Sequence, residues 1–180
     1  MFDMRTGAKV GSPAFEYHEE SAGRMSAPVE EAFAALDDHA GLSAHMSRPS
    51  WRMAWATMNL TVDTGRGRRV GSHIVLRGQV LGIPLYVDEV VTISQPPRRK
   101  TWETVGTPQL FVIGSYRMGY ELEPDPAGSR LRIFIDYNSP EGAVSRLLGR
   151  LFGRSYARWC TRRMANDAVT WAAGRVAAAA

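Results

Sequence analysis

The chain has 180 residues, 44% hydrophobic and 22% charged, which suits one globular domain with a full core and excludes disordered, collagen-like and disulfide-stapled classes. Cys160 is the only cysteine, so an intrachain disulfide and a multi-cysteine metal cluster are excluded. The net charge is +4, and residues 145–164 hold six arginines and no acid, so the remainder carries 4 − 6 = −2; the basic character is local, unlike the broad field of a nucleic-acid binder.

Residues 1–14 are polar and glycine-rich and are expected to fray. Residues 15–176 read as one domain. The opening "MFDMRTGAKVGS" has no signal-peptide core, and no stretch reaches the ~18–20 apolar residues of a membrane span. A lone cysteine fits a reducing compartment. These features point to a cytoplasmic protein.

Residues 16–26 read as a first strand. In "SAPVEEAFAAL", Ser26 or Ala27 is the expected cap, Pro28 opens the first turn, and Glu30 and Glu31 suit the positive helix start. "DDHAGLSAHM" reads as a second short helical piece. The period then changes to two, predicting strands over 54–63, 70–81, 84–94, 99–106, 109–123 and 129–138. The turns "TGRGRR", "LGIP", "QPPR", "GTP" and "EPDPAGS" between them are too short for parallel crossovers, so the strands form an antiparallel meander. "NSPEGAVSRLLG" starts a long helix running to about Val176, with Ser139 as N-cap, Pro140 in the first helical position and Glu141 favouring the dipole. The fold class is α+β, a curved antiparallel sheet of about seven strands around a long C-terminal helix.

Five arginines, Arg146, Arg150, Arg154, Arg158 and Arg162, recur every fourth residue along that helix. The opposite stripe is Leu148, Phe152, Tyr156, Trp159, Met164, Ala168 and Trp171, with Leu147 and Leu151 beside it, and is assigned to the sheet. Gly149, Gly153 and Ala157 form a small-residue row that permits close backbone approach. The arginines read as a solvated face. The alternative is weak contact with an anionic membrane surface through Arg150, Arg154 and Arg158. Nucleic acid is not an expected partner, because no recognition motif accompanies the stripe.

The stretches "MSAPVEEAFAALDDHAGLSAHM", "RRVGSHIVLRGQVLG", "VDEVVTISQPPRRKTWETVG" and "LLGRLFGRSYARWCTRRMANDA" resemble the START-like (Bet v 1-like, helix-grip) superfamily, in particular its polyketide cyclase/dehydrase and lipid-transport members. The resemblance covers residues 16–172. It implies a deep cavity between sheet and long helix that holds an apolar lipid, quinone-like or polyketide/aromatic molecule. Carriers, sensors and enzymes share this scaffold.

Alternation nominates Met58, Leu60, Val87, Val91, Trp102, Tyr116, Met118, Tyr120, Ile133, Ile135 and Tyr137 as strand-borne cavity residues. The helix adds Leu148, Phe152, Tyr156 and Trp159. An apolar wall with a few tyrosine hydroxyls suits an amphipathic ligand, and packing alone would give the same pattern. Glu89, in "LYVDEVVTI", is in phase with Leu85, Val87, Val91 and Ile93. Facing inward, it would have a raised pKa and serve as general acid or base. The alternatives are a reversed phase with Asp88 inside, or a pair between Glu89 and Arg77. His45 is a candidate gate; His18, His39 and His73 are assigned to wet surface. The histidines lack metal spacing, so no metal is expected. Cys160 reads as a packing residue.

The expected function is carrying or sequestering a hydrophobic small molecule without a cofactor. The alternative is an aromatase/cyclase or dehydrase-like enzyme working in the same cavity.

Overall fold

A computed structural model describes residues 15–37, 57–80 and 82–179. The elements are β1 (Tyr17–Met25), α1 (Val29–Leu36), β2 (Thr57–Val62), β3 (His73–Val80), β4 (Ile83–Gln95), β5 (Arg99–Thr104), β6 (Tyr116–Asp125), β7 (Gly128–Tyr137), α2 (Ala143–Leu148), a π turn (Gly149–Gly153) and α3 (Arg154–Ala179). Residues 38–56, which include the expected second short helix, the start of the 54–63 strand, His39 and His45, lie outside the described residues, as does the side chain of Met58.

The seven strands form one antiparallel sheet in the order β1-β7-β6-β5-β4-β3-β2. Short hairpins make the meander, and β1 closes its far edge by pairing with β7 from Tyr17 opposite Tyr137 to Met25 opposite Ser129. The sheet is curved around the C-terminal helix, the helix-grip arrangement. The inner face is dry because alternate residues are apolar: Val87 and Val91 on β4, Met118, Tyr120 and Leu122 on β6, and Leu131, Ile133 and Ile135 on β7 are all buried. The outer face is wet and laced with charge pairs. Asp136 takes Arg117 at 2.8 Å and His18 at 2.6 Å, and Arg132 joins Glu20 at 2.6 Å and Glu121 at 2.8 Å.

Helix α1 buries Val29, Ala32, Phe33 and Leu36 against this core, with Glu30 and Glu31 in its first turn. Neither Ser26 nor Ala27 caps it. Pro28 is the cap residue, without a side-chain bond, and its carbonyl accepts from the Ala32 N–H at 2.9 Å. The other helix start also differs from expectation. Ser139 donates to Glu16 at 2.7 Å instead of capping, and the helix begins at Ala143 after Gly142, whose φ is +86°. Pro140 is thus left outside the helix, packed against Gly149.

Two strands differ in a way that matters for the interior. The expected 109–123 strand starts only at Tyr116. Gln109 makes one bridge with Tyr86, and the chain then turns away until the Gly114 N–H donates to the Asn138 carbonyl at 2.8 Å. In β4 the register shifts between Val91 and Ile93. This bulge turns Ile93 to the outer face, opposite Thr101, rather than in line with Glu89.

The small-residue row does permit close approach, but to the 109–115 loop. A Cβ on Gly153 would lie 2.7 Å from the Val112 carbonyl oxygen, and one on Gly149 would lie 2.7 Å from Pro140 and 3.1 Å from that same oxygen. The two glycines bracket the π turn, which the four-residue arginine spacing did not reveal. Gly153→Ala should therefore destabilise the fold by about 1–3 kcal/mol through overpacking, despite alanine's better helix propensity. Urea denaturation measures this; unchanged or increased stability would contradict the contact.

Candidate functional site

The middle of the inner face carries a carboxyl group. Strand β4 alternates, so Leu85, Val87, Glu89 and Val91 all point inward and are buried, Glu89 with 4% of its surface exposed. Asp88 takes the outer face, where it meets His73 at 2.8 Å. The reversed phase is therefore ruled out. Arg77 also stays outside, stacked over Tyr86 at 5.4 Å, so it does not partner Glu89. Instead, Glu89 accepts hydrogen bonds from the Tyr116 hydroxyl and from the Trp102 side chain, both neutral donors. Burial pushes the Glu89 pKa up to about 7; the bonds from Tyr116 and Trp102 pull it down, and the charge of Asp88 adds to the rise. Tyr116 is held well above the usual tyrosine range by burial and by Glu89 itself, so it stays a neutral donor.

The C-terminal helix completes this cluster. Tyr156 and Cys160, one turn apart, hydrogen-bond to each other beside Tyr116. Burial pushes the Cys160 thiol up to about 12, which keeps it protonated and removes it as a nucleophile.

A second polar pole lies further along the same face and was not foreseen. Lys100, fully buried, stands opposite Tyr120. Its ammonium donates to Asp37 at the end of α1, and Arg68 lies 3.7 Å from the same carboxylate. Burial lowers the Lys100 pKa, the contact with Asp37 opposes this, and Arg68 adds to the lowering. The Tyr120 ring meets Trp102 and Phe33 edge-on, at 6.3 and 5.6 Å, and its buried hydroxyl has no hydrogen-bond partner among the described residues. Glu89 pairs with Thr104, four residues along β5 from Lys100, so the poles stand roughly 13 Å apart. Trp102 occupies the middle. The signal for Lys100 was its place two residues before Trp102, in "RKTW", which puts both on one face.

Of the nominated residues, Val87, Val91, Trp102, Tyr116, Met118, Tyr120, Ile133, Ile135 and Tyr137 are buried on this face; Leu60, Tyr156 and Trp159 pack against it part-buried. Leu148 is half-buried. Phe152 is a correction. It is 54% exposed, with Leu147 at 59% and Leu151 at 62%, because the loop around Val112 packs on the glycine row and leaves these large side chains of α2 and the π turn in water.

The arginine stripe is corrected as well. Glu19 of β1 points inward and is buried, and it accepts from Arg154 at 2.6 Å and Arg158 at 2.7 Å. Burial raises the Glu19 carboxyl, but the bonds from Arg158 and Arg154 outweigh that and hold it below the usual range. Beside it, the hydroxyls of Ser21 and Thr161 meet at 3.0 Å. Two of the arginines thus clamp the helix to the sheet edge rather than merely meeting solvent. No helix among the described residues is long and apolar enough to cross a membrane.

A family model described as polyketide cyclase / dehydrase and lipid transport matches residues 21–169. The chain belongs to this family. The fold resembles the Zhui aromatase/cyclase from Streptomyces sp. R1128, at 16% identity and a TM-score of 0.67, over 89% of this chain and 95% of that one. It also resembles a protein from Thermus thermophilus, at 11% identity and a TM-score of 0.58, over 86% and 98% of the two chains. A point mutant of norcoclaurine synthase from Thalictrum flavum, in complex with a transition state analogue, matches at 13% identity and a TM-score of 0.55, over 88% and 94%. These likenesses establish the helix-grip fold. No curated protein matches at a significant level.

Glu89 has a thermodynamic signature. A carboxyl held near pH 7 in the folded state but near ~4.3 when unfolded binds its proton more tightly folded. Its contribution is present at acid pH and fades as pH rises towards 7 and above, by up to about 3 kcal/mol. Glu89→Gln, which still accepts from Tyr116 and Trp102, should match the wild type near pH 4 and be more stable than it at pH 8, by about 1–3 kcal/mol. Parallel urea titrations at the two pH values test this; an equal difference at both would refute the raised pKa.

Proposed function

We infer that this protein binds a hydrophobic small molecule between the sheet's inner face and the C-terminal helix, and carries or sequesters it in the cytoplasm. One observation carries the reading: a carboxyl group and a tyrosine hydroxyl are hydrogen-bonded to each other in the middle of a buried, mostly apolar face. Apolar side chains supply affinity at ~25 cal/mol per Å² removed from water. Glu89, Tyr116 and Trp102 hold the ligand's polar end, and the Tyr120 hydroxyl offers a second donor. The family description, which includes lipid transport, supports the reading.

The position of Glu89 also favours a second reading, an aromatase/cyclase or dehydrase-like enzyme. A carboxyl poised near 7 is protonated in part of the population and ionised in the rest, the condition a general acid–base group requires. In an aldol-type ring closure, ionised Glu89 would take the proton from the carbon that attacks, and Tyr116 would hold the carbonyl oxygen. In water loss, ionised Glu89 would take the proton from the carbon beside the hydroxyl-bearing one and then return it to the departing hydroxyl, so that a C–H and a C–O bond break as a C=C bond and water form.

Native mass spectrometry of the protein purified from its own host tests the carrier reading. A retained, stoichiometric apolar molecule with one oxygen-bearing end is the expected result. Glu89→Gln and Tyr116→Phe should each weaken that molecule's binding about 10-fold while a purely apolar analogue keeps its affinity. Equal losses for both ligands would remove Glu89 from recognition. Turnover of a polyketide-type substrate that disappears in Glu89→Gln, with binding kept, would favour the enzyme.

A further inference from the structure

The apolar stripe of the C-terminal helix divides at the π turn. Beyond it, Met164, Ala165, Ala168 and Ala172 are buried against the sheet. Before and within it, Val144, Leu147, Leu151 and Phe152 are 74%, 59%, 62% and 54% exposed. Their spacing is three, four and one, which puts them along one side of a helix as a continuous ridge. Scattered exposed apolar residues need no explanation, but four within nine positions form a patch. Nothing in the described interior requires them: the helix meets the 109–115 loop through Gly149 and Gly153 instead.

The charges beside the ridge say what fits it. No acidic residue lies between Glu141 and Asp167, whereas six arginines do. Arg154 and Arg158 engage Glu19, and Arg163 engages Asp167 at 3.2 Å. Arg146 and Arg150 immediately precede Leu147 and Leu151, and both are exposed. The result is an apolar ridge flanked by two cations on a surface helix.

We propose that this ridge docks the protein on an anionic lipid bilayer, with Val144, Leu147, Leu151 and Phe152 inserted at the headgroup boundary and Arg146 and Arg150 on lipid phosphates. A short helix with apolar side chains on one side and arginines beside them is built for that interface. A second copy fits less well. A two-fold contact would bring Arg146 and Arg150 of both copies together, and four side chains cover far less than the ~800 Å² per partner of a stable interface. Docking holds whichever ligand the interior takes, so it stands apart from the carrier and enzyme readings. It keeps Arg150 from the surface first assigned to membrane contact and exchanges Arg154 and Arg158, which are committed to Glu19, for Arg146.

The test is co-sedimentation of the full chain with phosphatidylcholine vesicles, neutral or containing about one-third phosphatidylglycerol. Binding should be at least about 10-fold tighter to the anionic vesicles and should fall as salt rises. Leu147→Ser with Leu151→Ser, and separately Arg146→Glu with Arg150→Glu, should each cut it about 10-fold. These side chains are exposed, so thermal melts of both variants should match the wild type. Cys160 is buried, so a Val144→Cys variant can be labelled at that site with a polarity-sensitive dye, whose emission should shift to the blue on anionic vesicles. No binding by the wild type, binding that survives the leucine changes, or an unshifted dye on bound protein would each overturn the proposal. A concentration-dependent dimer in sedimentation velocity, abolished by the leucine changes, would overturn it in favour of self-association.

Discussion

A carboxyl group enclosed by Val87, Val91, Trp102 and Tyr116 on a dry sheet face is costly to keep charged, and both of its hydrogen-bond partners are neutral. That constraint orders much of the interior. Tyr116 must reach across from the start of β6 to donate to it. Trp102 must turn its single N–H the same way, which leaves its ring against Tyr120. The helix then brings Tyr156 and Cys160 against Tyr116, an internal pair that satisfies itself. The resulting cluster is neutral at mildly acid pH and gains a charge near neutrality.

Three carboxylates in or beside the interior are handled differently, and the difference is one of partners. Glu19 is buried at the sheet edge, but two arginines reach it from α3, so it stays ionised and ties helix to strand. Asp37 meets the buried ammonium of Lys100 and so ties α1 to β5. Among the described residues, Glu89 has only a hydroxyl and an indole. The first two hold elements together. Glu89 joins side chains of the sheet itself, at its centre, and ties no other element to it.

How much of this was legible in the sequence follows from the physics of each signal. Period-two alternation in "LYVDEVV" and "YRMGYELE" sorts side chains onto two faces, so Glu89, Tyr116 and the β6 core were nominated, but it does not say which face is inside, and only the structure excludes the reversed phase with Asp88 inward. A bulge leaves no such mark, so Ile93 was assigned to the wrong face. "QLFVIG" looks like a strand by composition, yet Gly114 and the approach of the helix make it a turn. Lys100 escaped notice because its run of basic residues reads as surface, and only α1 closing over it makes it interior. Amphipathic spacing at 144–152 correctly marks an apolar side, but periodicity cannot say what covers that side. The glycines that draw the helix onto the 109–115 loop decide it.

The protonation state of Glu89 underlies both functional readings, and infrared spectroscopy reads it directly. A difference spectrum between wild type and Glu89→Gln, followed from acid to alkaline pH, isolates the carbonyl stretch of this one protonated acid. The band should persist well above the ordinary carboxylate range and vanish with a midpoint near 7. A band lost at the ordinary value of ~4.3, or one absent throughout, would mean that the group is solvated or paired with a cation, and the interior described here would be wrong at its centre.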